Sequence, residues 1–333
     1  MNANLETRIL KTLSASGLSK IETVQSLWSG YGEIARYRVE GDSAGKRDGA
    51  SQNVIIKHVQ LPDQQAHPRG WNTDRSHQRK VRSYEVESHW YSNYAGLCDA
   101  HCRVPTCFLA QSDGNEFVMV LEDLDDTGYS LRYQSVDFKH MALCLNWLAH
   151  FHVRFMNEPV EGLWPTGTYW HLETRPDELN VLDDLPLKHA ASAIDQKLKD
   201  APFQTLVHGD AKLANFCFAE DDQSVAAVDF QYVGQGCGMK DVAYFIGSCL
   251  DEWQCEQHEA KLLDVYFAAL ASAINHYQKP IEFTALEAAW RPLYSVAWTD
   301  FHRFLKGWSP GHWKVHSYSE RLAREVVASL STN

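Results

Sequence analysis

Apolar and polar positions alternate in two different rhythms along this chain. Leu5, Ile9, Leu10 and Leu13 recur at helical spacing and predict a helix over 4–15, with Gly17 as its stop. The rhythm then changes to strand-like. Segments 21–29, 33–40 and 53–60 are alternating or β-branched and predict three strands, the first two separated by Ser29-Gly30-Tyr31-Gly32. Polar, glycine-rich 41–52 predicts a hairpin loop, and 61–78, with Pro62, Pro68 and Gly70, a second loop. Val86, Trp90 and Tyr94 predict a helix over 79–95, and 103–111 with 116–121 a strand pair around the Ser112-Asp113-Gly114-Asn115 turn. From there the helical period dominates. Phe138, Met141, Leu145, Leu148, Phe151 and Phe155 predict a long buried helix over 136–156. An irregular excursion follows over 158–184, rich in proline, glycine, tryptophan and acids, then a helix over 187–198. The apolar run 225–230 predicts a buried strand, and helices follow from 242 to the end. There is no internal repeat.

Composition narrows what such a chain does. With 333 residues, 44% of them hydrophobic, it can bury a large core and form one bilobal unit or two domains. Thirty-one basic against 43 acidic side chains give a net charge of −12, and no basic cluster is dense enough to track a nucleic-acid backbone or an anionic membrane surface. The first eight residues lack a basic-then-apolar leader and no segment is long enough to span a membrane, so a cytoplasmic location is expected. The eight scattered cysteines are expected to be reduced and largely buried, and Cys249, Cys255 and His258 are too loosely grouped for zinc.

Three stretches carry candidate chemistry. Lys57 sits inside the apolar Val54-Ile55-Ile56-Lys57-His58-Val59, where an unpaired ammonium is costly to bury, so it needs a fixed anion. Glu87 on the following helix is the candidate partner and Glu85 the alternative. Gly30-Tyr31-Gly32 lets backbone N–H groups approach phosphate oxygens; alone it reads better as a hairpin turn, and its position before a strand lysine strengthens it. The third stretch is Val207-His208-Gly209-Asp210-Ala211-Lys212-Leu213-Ala214-Asn215 with the later Val228-Asp229-Phe230-Gln231. Two carboxylates and a carboxamide oxygen, Asp210, Asp229 and Asn215, suit Mg²⁺, a hard cation that takes oxygen ligands together with substrate phosphates. The interval 215 − 210 = 5 matches the kinase catalytic loop, with Asp229 in the place of the D-F-G metal ligand. Lys212 is placed to neutralise charge on a phosphoryl group in transfer. Gly234-Gln235-Gly236-Cys237-Gly238 lacks the strand-turn-helix and later acid of a dinucleotide fingerprint. Asp241 is expected to cap the next helix and to brace the catalytic loop. His150 and His152 read as structural.

On Gly30-Tyr31-Gly32, Lys57, Tyr84-Glu85-Val86-Glu87, Leu121-Glu122-Asp123-Leu124, H-G-D-A-K-L-A-N, V-D-F-Q and the later D-V-A-Y-F, the chain resembles the aminoglycoside phosphotransferase and choline kinase superfamily. Within it, the ecdysteroid-kinase-like group is the most similar. The resemblance implies an α+β, protein-kinase-like bilobal fold, with an N-lobe over 1–122 (antiparallel sheet, phosphate loop, lysine–glutamate pair) and a mostly helical C-lobe over 123–333. It implies ATP with Mg²⁺ and a small-molecule hydroxyl as acceptor: an amino alcohol, or a choline-like, aminoglycoside-like or sterol-like compound. Carried over by position, Asp210 is the catalytic base with Lys212 beside it, and Asn215 and Asp229 hold the metal. Gly30, Tyr31, Gly32, Lys57 and Glu87 serve the phosphates, and Leu121, Glu122 and Asp123 form the adenine hinge, its acid run otherwise a solvated connection. His208 and Asp241 give structural support. Gln231 departs from the D-F-G glycine, and Gly209 from the H-R-D arginine that receives an activation-loop phosphate.

A protein substrate is disfavoured, because 241 − 229 = 12 positions and the lack of A-P-E leave little room for an activation segment. A nucleotide-sensing module without turnover is the other rival, disfavoured because every catalytic position is filled. Trp253, Trp290, Trp298, Trp308 and Trp313 read as helical core, or with Asp251, Glu252 and Asp300 as an aromatic, acidic pocket for a cation. Oligomeric state is not legible.

Overall fold

The structure, a computed structural model, describes residues 3–27, 30–41, 53–61 and 74–331. Residues 42–52 and 62–73, which hold most of the two loops expected from the sequence, lie outside the described residues. The chain divides into two compact units, residues 1–132 with 217–231, and residues 133–216 with 232–333.

The first unit is built on a five-stranded sheet, all of its pairings antiparallel, in the order β1-β2-β3-β5-β4. Its strands are β1 (Gly17–Ser26), β2 (Gly32–Glu40), β3 (Asn53–Gln60), β4 (Cys107–Asp113) and β5 (Glu116–Glu122). The two-residue period sorts β3 cleanly. Val54 and Ile56 join Val118 and Val120 under Leu5 and Ile9 of helix α1 (Ala3–Leu13). Lys57 and Val59 fall on the opposite face, where Val59 packs with Tyr84 of helix α2 (Asp74–Asn93). β4 begins later than its apolar pattern, because Pro105 has no N–H to offer a ladder. After Phe216 the chain returns to this unit through β7 (Phe216–Phe218) and β8 (Val225–Ala227). β8 stops three residues short of the expected strand end. Asp229, at φ 70°, has left-handed backbone that no ladder continues.

The second unit is helical. α3 (Phe138–Arg154), α4 (Pro176–Asn180) and α5 (Leu185–Lys199) precede β6 (Thr205–Val207), which pairs antiparallel with β9 (Gly234–Gly236). α6 (Met239–Cys249), α7 (Glu252–His276), α8 (Phe283–Trp290), α9 (Leu293–Trp308) and α10 (Ser317–Ser331) follow. α3 packs on α7, while α9 packs on α4, α5, α6 and α10. The tryptophans divide: Trp290 and Trp298 are core, whereas Trp253, Trp308 and Trp313 are exposed. Among the described residues no helix is long and apolar enough to cross a membrane.

Candidate active site

In the first unit, Lys57 Nζ donates to Glu87 Oε2 at 2.6 Å, with the two residues only 4% and 2% exposed. Asp229 Oδ1 lies 3.9 Å from the same ammonium. Burial pushes the Glu87 carboxyl up from its usual value, against the pull of Lys57. Glu85 points elsewhere and pairs with Arg82 at 3.0 Å on the exposed face of α2. Helical phase explains the choice: Glu87 lies four and three residues after the buried Ser83 and Tyr84 and four before the buried Tyr91, while Glu85 is out of phase with them.

The Asp229 segment is tied to α2 through the Phe230 and Gln231 of V-D-F-Q. Phe230 stacks on Trp90 (4.5 Å, 16°), and Gln231 Oε1 accepts from Lys80 Nζ at 3.0 Å and Ser83 Oγ at 3.3 Å. Gly30-Tyr31-Gly32 forms the β1–β2 turn, where Leu27 N–H donates to the Gly32 carbonyl at 2.9 Å. Tyr31 is buried among Leu27, Val59 and Tyr84. Gly32, at φ 149°, is required by close approach: a Cβ there would stand 2.0 Å from the His58 carbonyl oxygen. Leu121 is buried. Glu122 and Asp123 correct the expectation of a solvated acid run. Both are buried, Glu122 paired with Arg103 and accepting from Thr106 N–H at 2.8 Å, and Asp123 held by Arg36 Nε at 2.5 Å. Their charges are consumed by arginines, which leaves backbone groups as what this stretch can offer a ligand.

In the second unit, β6 leads into His208-Gly209-Asp210. Asp241 braces this turn: Oδ2 accepts from His208 N–H at 2.6 Å and Oδ1 from Gly209 N–H at 2.9 Å. The capping role expected for Asp241 is not found, since it lies in the first turn of α6 and Gly238 occupies the cap. His152 holds Asp241 Oδ2 at 3.1 Å and the Tyr266 hydroxyl at 2.7 Å, so it is structural. Asp210 is engaged on both oxygens. Tyr244 Oη donates to Oδ1 at 3.1 Å, while Lys212 Nζ and Asn215 Nδ2 donate to Oδ2 at 2.9 and 3.3 Å. Asn215 Nδ2 also donates to the Asp210 carbonyl at 2.8 Å, which leaves its amide oxygen as the donor atom for a cation. The acids that the sequence groups with the tryptophans are used elsewhere: Asp251 caps α7, Glu252 accepts from Ser317 and Tyr318 N–H, and Asp300 is buried against Arg303. They form no acidic pocket.

Gly209 explains the missing arginine of H-R-D. Its φ is 80°, and a Cβ at this position would lie 2.1 Å from the Tyr232 carbonyl oxygen. Gly209→Ala is therefore expected to cost more than the ~1–2 kcal/mol of a left-handed alanine, because backbone must also move. Urea unfolding measures it; an unchanged midpoint would show that the turn tolerates a side chain.

An antiparallel sheet bearing a buried lysine–glutamate pair, and a helical half bearing H-G-D-A-K-L-A-N, make an α+β fold of the protein-kinase-like phosphotransferase class. The profile of the ecdysteroid kinase-like family matches residues 31–154 and 171–279, and the chain belongs to that family. Among solved structures, the amicoumacin kinase hAmiN in complex with AMP-PNP, Ca²⁺ and Ami is 12% identical, with 100% of this chain and 94% of that chain covered and a TM-score of 0.54. The microcompartment-associated aminopropanol kinase is 14% identical (99% and 94% covered, TM-score 0.47). The choline kinase LicA from Streptococcus pneumoniae is 12% identical (99% and 100% covered, TM-score 0.45). At 12% identity the likeness to the amicoumacin kinase is one of fold. No curated protein sequence matches the chain.

Proposed function

We propose that this protein transfers the γ-phosphoryl group of ATP to a hydroxyl of a small molecule. The observation that carries the proposal is the buried Lys57–Glu87 pair with Asp229 beside it. A buried ammonium held at 2.6 Å by one carboxylate, with a second, part-exposed carboxylate 3.9 Å away, suits a site that takes triphosphate and a divalent cation. Family membership supports the kinase reading, and the 12 positions from Asp229 to Asp241 favour a small acceptor over a peptide. The buried thiols of Cys144, Cys217, Cys237 and Cys255 suit a reducing, cytoplasmic setting.

The donors carried over for Mg²⁺ are of the right kind, each in its own unit: Asp229 would offer a carboxylate and Asn215 an amide oxygen, the hard oxygen ligands this cation takes. When bound, the cation neutralises charge on the phosphates. Lys57 grips phosphate oxygens, with Gly30-Tyr31-Gly32 lending backbone, and the Leu121–Asp123 backbone takes the base. Asp210 receives the acceptor's hydroxyl proton, oriented by Tyr244 and Asn215. Lys212 offsets charge as the phosphoryl group moves. Transfer through a loose transition state asks little of the protein beyond this positioning.

Calorimetry with MgATP, followed by a screen of hydroxyl compounds for ADP release, tests the proposal. EDTA is expected to reduce transfer by at least about a hundredfold, with recovery on adding Mg²⁺. Absence of MgATP binding by the intact protein would sink the reading.

A further inference from the structure

The residues around Asp210 bear on the acceptor's charge. Tyr244, which donates to Asp210, presents its ring to Tyr169 (5.7 Å), Trp170 (4.9 Å) and Phe301 (4.9 Å). Over this aromatic group stands a cation. Lys314 Nζ lies 5.0 Å from the Tyr244 ring centre, 5.5 Å from that of Phe301 and 5.4 Å from that of Trp313. The segment that carries it is fixed by its own hydrogen bonds: Lys314 N–H donates to His312 Nδ1 at 3.2 Å, and Ser319 Oγ donates to the Lys314 carbonyl at 3.1 Å. Among the described residues no carboxylate comes within ion-pairing distance of the Lys314 ammonium. Alongside it Trp308 and Trp313 are 51% and 56% exposed, and His312 stacks on Trp313 at 5.8 Å.

Ring faces compensate a half-buried ammonium only in part, and a hydrogen-bonded carboxylate compensates it better. Burial pulls the Lys314 ammonium down to about 8, while the Asp210 charge opposes that fall. Tyr244 therefore separates a proton acceptor from an unpaired positive charge. A choline-like or aminoglycoside-like acceptor placed over these rings would bring like charge against Lys314.

Resting on the phosphotransferase reading, we propose that Lys314 sets acceptor specificity, and that the acceptor is a flat hydroxy acid. Its hydroxyl faces Asp210, its carboxylate pairs with Lys314 and its apolar body lies on Trp313. In the reaction the hydroxyl oxygen bonds to the γ-phosphorus, the bond to the β-bridging oxygen breaks, ADP leaves and the hydroxyl proton passes to Asp210. The acceptor's carboxylate is unchanged.

Three para-substituted benzyl alcohols of similar size, bearing a carboxylate, a methyl or an aminomethyl group, serve as probes. ADP release is measured with the wild type, Lys314→Gln and Lys314→Glu, and melting curves verify folding. The wild type is expected to favour the carboxylate over the amine about tenfold to a hundredfold in kcat/KM, chiefly through KM, the worth of one charged hydrogen bond. Lys314→Gln should flatten that preference and Lys314→Glu reverse it. An amine-preferring wild type, an unreversed order in Lys314→Glu, or no transfer to any probe by a protein that binds MgATP would overturn the hydroxy-acid assignment and leave the phosphotransferase reading standing. Failure to bind MgATP would overturn the latter instead.

Discussion

Asp210→Asn is expected to lower phosphoryl transfer at least about a hundredfold while MgATP binding and the melting temperature change little. Asparagine has the same shape, so Tyr244 can still donate to its oxygen and the turn held by Asp241 is undisturbed. What the variant gives up is the ability to take a proton. It also gives up the ion pair with Lys212, whose side chain is 40% exposed and can turn to water, so the structural cost is small. Initial rates at saturating MgATP, together with a melting curve, separate the two effects. A rate within a few-fold of the parent would remove Asp210 from the role of base.

Asp300→Ala should instead destabilise the fold, by about 3–5 kcal/mol, because it leaves two buried cations uncompensated. Asp300 Oδ1 accepts from Arg303 Nη2 at 2.8 Å, while Oδ2 accepts from Trp170 Nε1 at 3.0 Å and lies 3.6 Å from Lys240 Nζ. Every side chain in this ion group is at most 1% exposed, and among the described residues Lys240 Nζ finds no hydrogen-bond partner. Burial pushes the Asp300 carboxyl up, yet Arg303 and Lys240 outweigh burial and hold it below its usual value. A depressed carboxyl stabilises the folded state above the ordinary aspartate pKa of about 3.9, and that stability is lost as pH falls through the lower folded value. The gap between parent and variant, measured by urea unfolding, should be widest near neutrality and narrow below about pH 4. A constant gap, or none, would show that the charge of Asp300 is not what holds this region.

Some of this was legible in the chain, for reasons that differ from residue to residue. Lys57 stood out because a lysine in a continuous apolar strand needs an anion, and helical phase could have chosen Glu87 over Glu85. Asp241 was legible as a brace but not in its place in the helix, because an acid near a helix start reads alike at the cap and in the first turn. The acids at 122–123 misled because a run of charges reads as solvated, whereas their partners Arg36 and Arg103 come from other strands and loops. Tyr169, Tyr244 and Lys314 were the hardest. They come from an irregular excursion, a helix and a late turn, and no spacing in the sequence connects them.

The tether of the Asp229 segment bears on inhibition. A compound that acts by swinging Phe230 outward must break its stack on Trp90 and the two hydrogen bonds that Gln231 accepts from α2. Each of those interactions is worth about 0.5–1.5 kcal/mol, or more where a charged donor is involved, and the sum would be subtracted from the compound's affinity. Compounds that accept the segment as it stands avoid that loss, so chemical probes for this protein are best sought among ligands that leave Phe230 on Trp90.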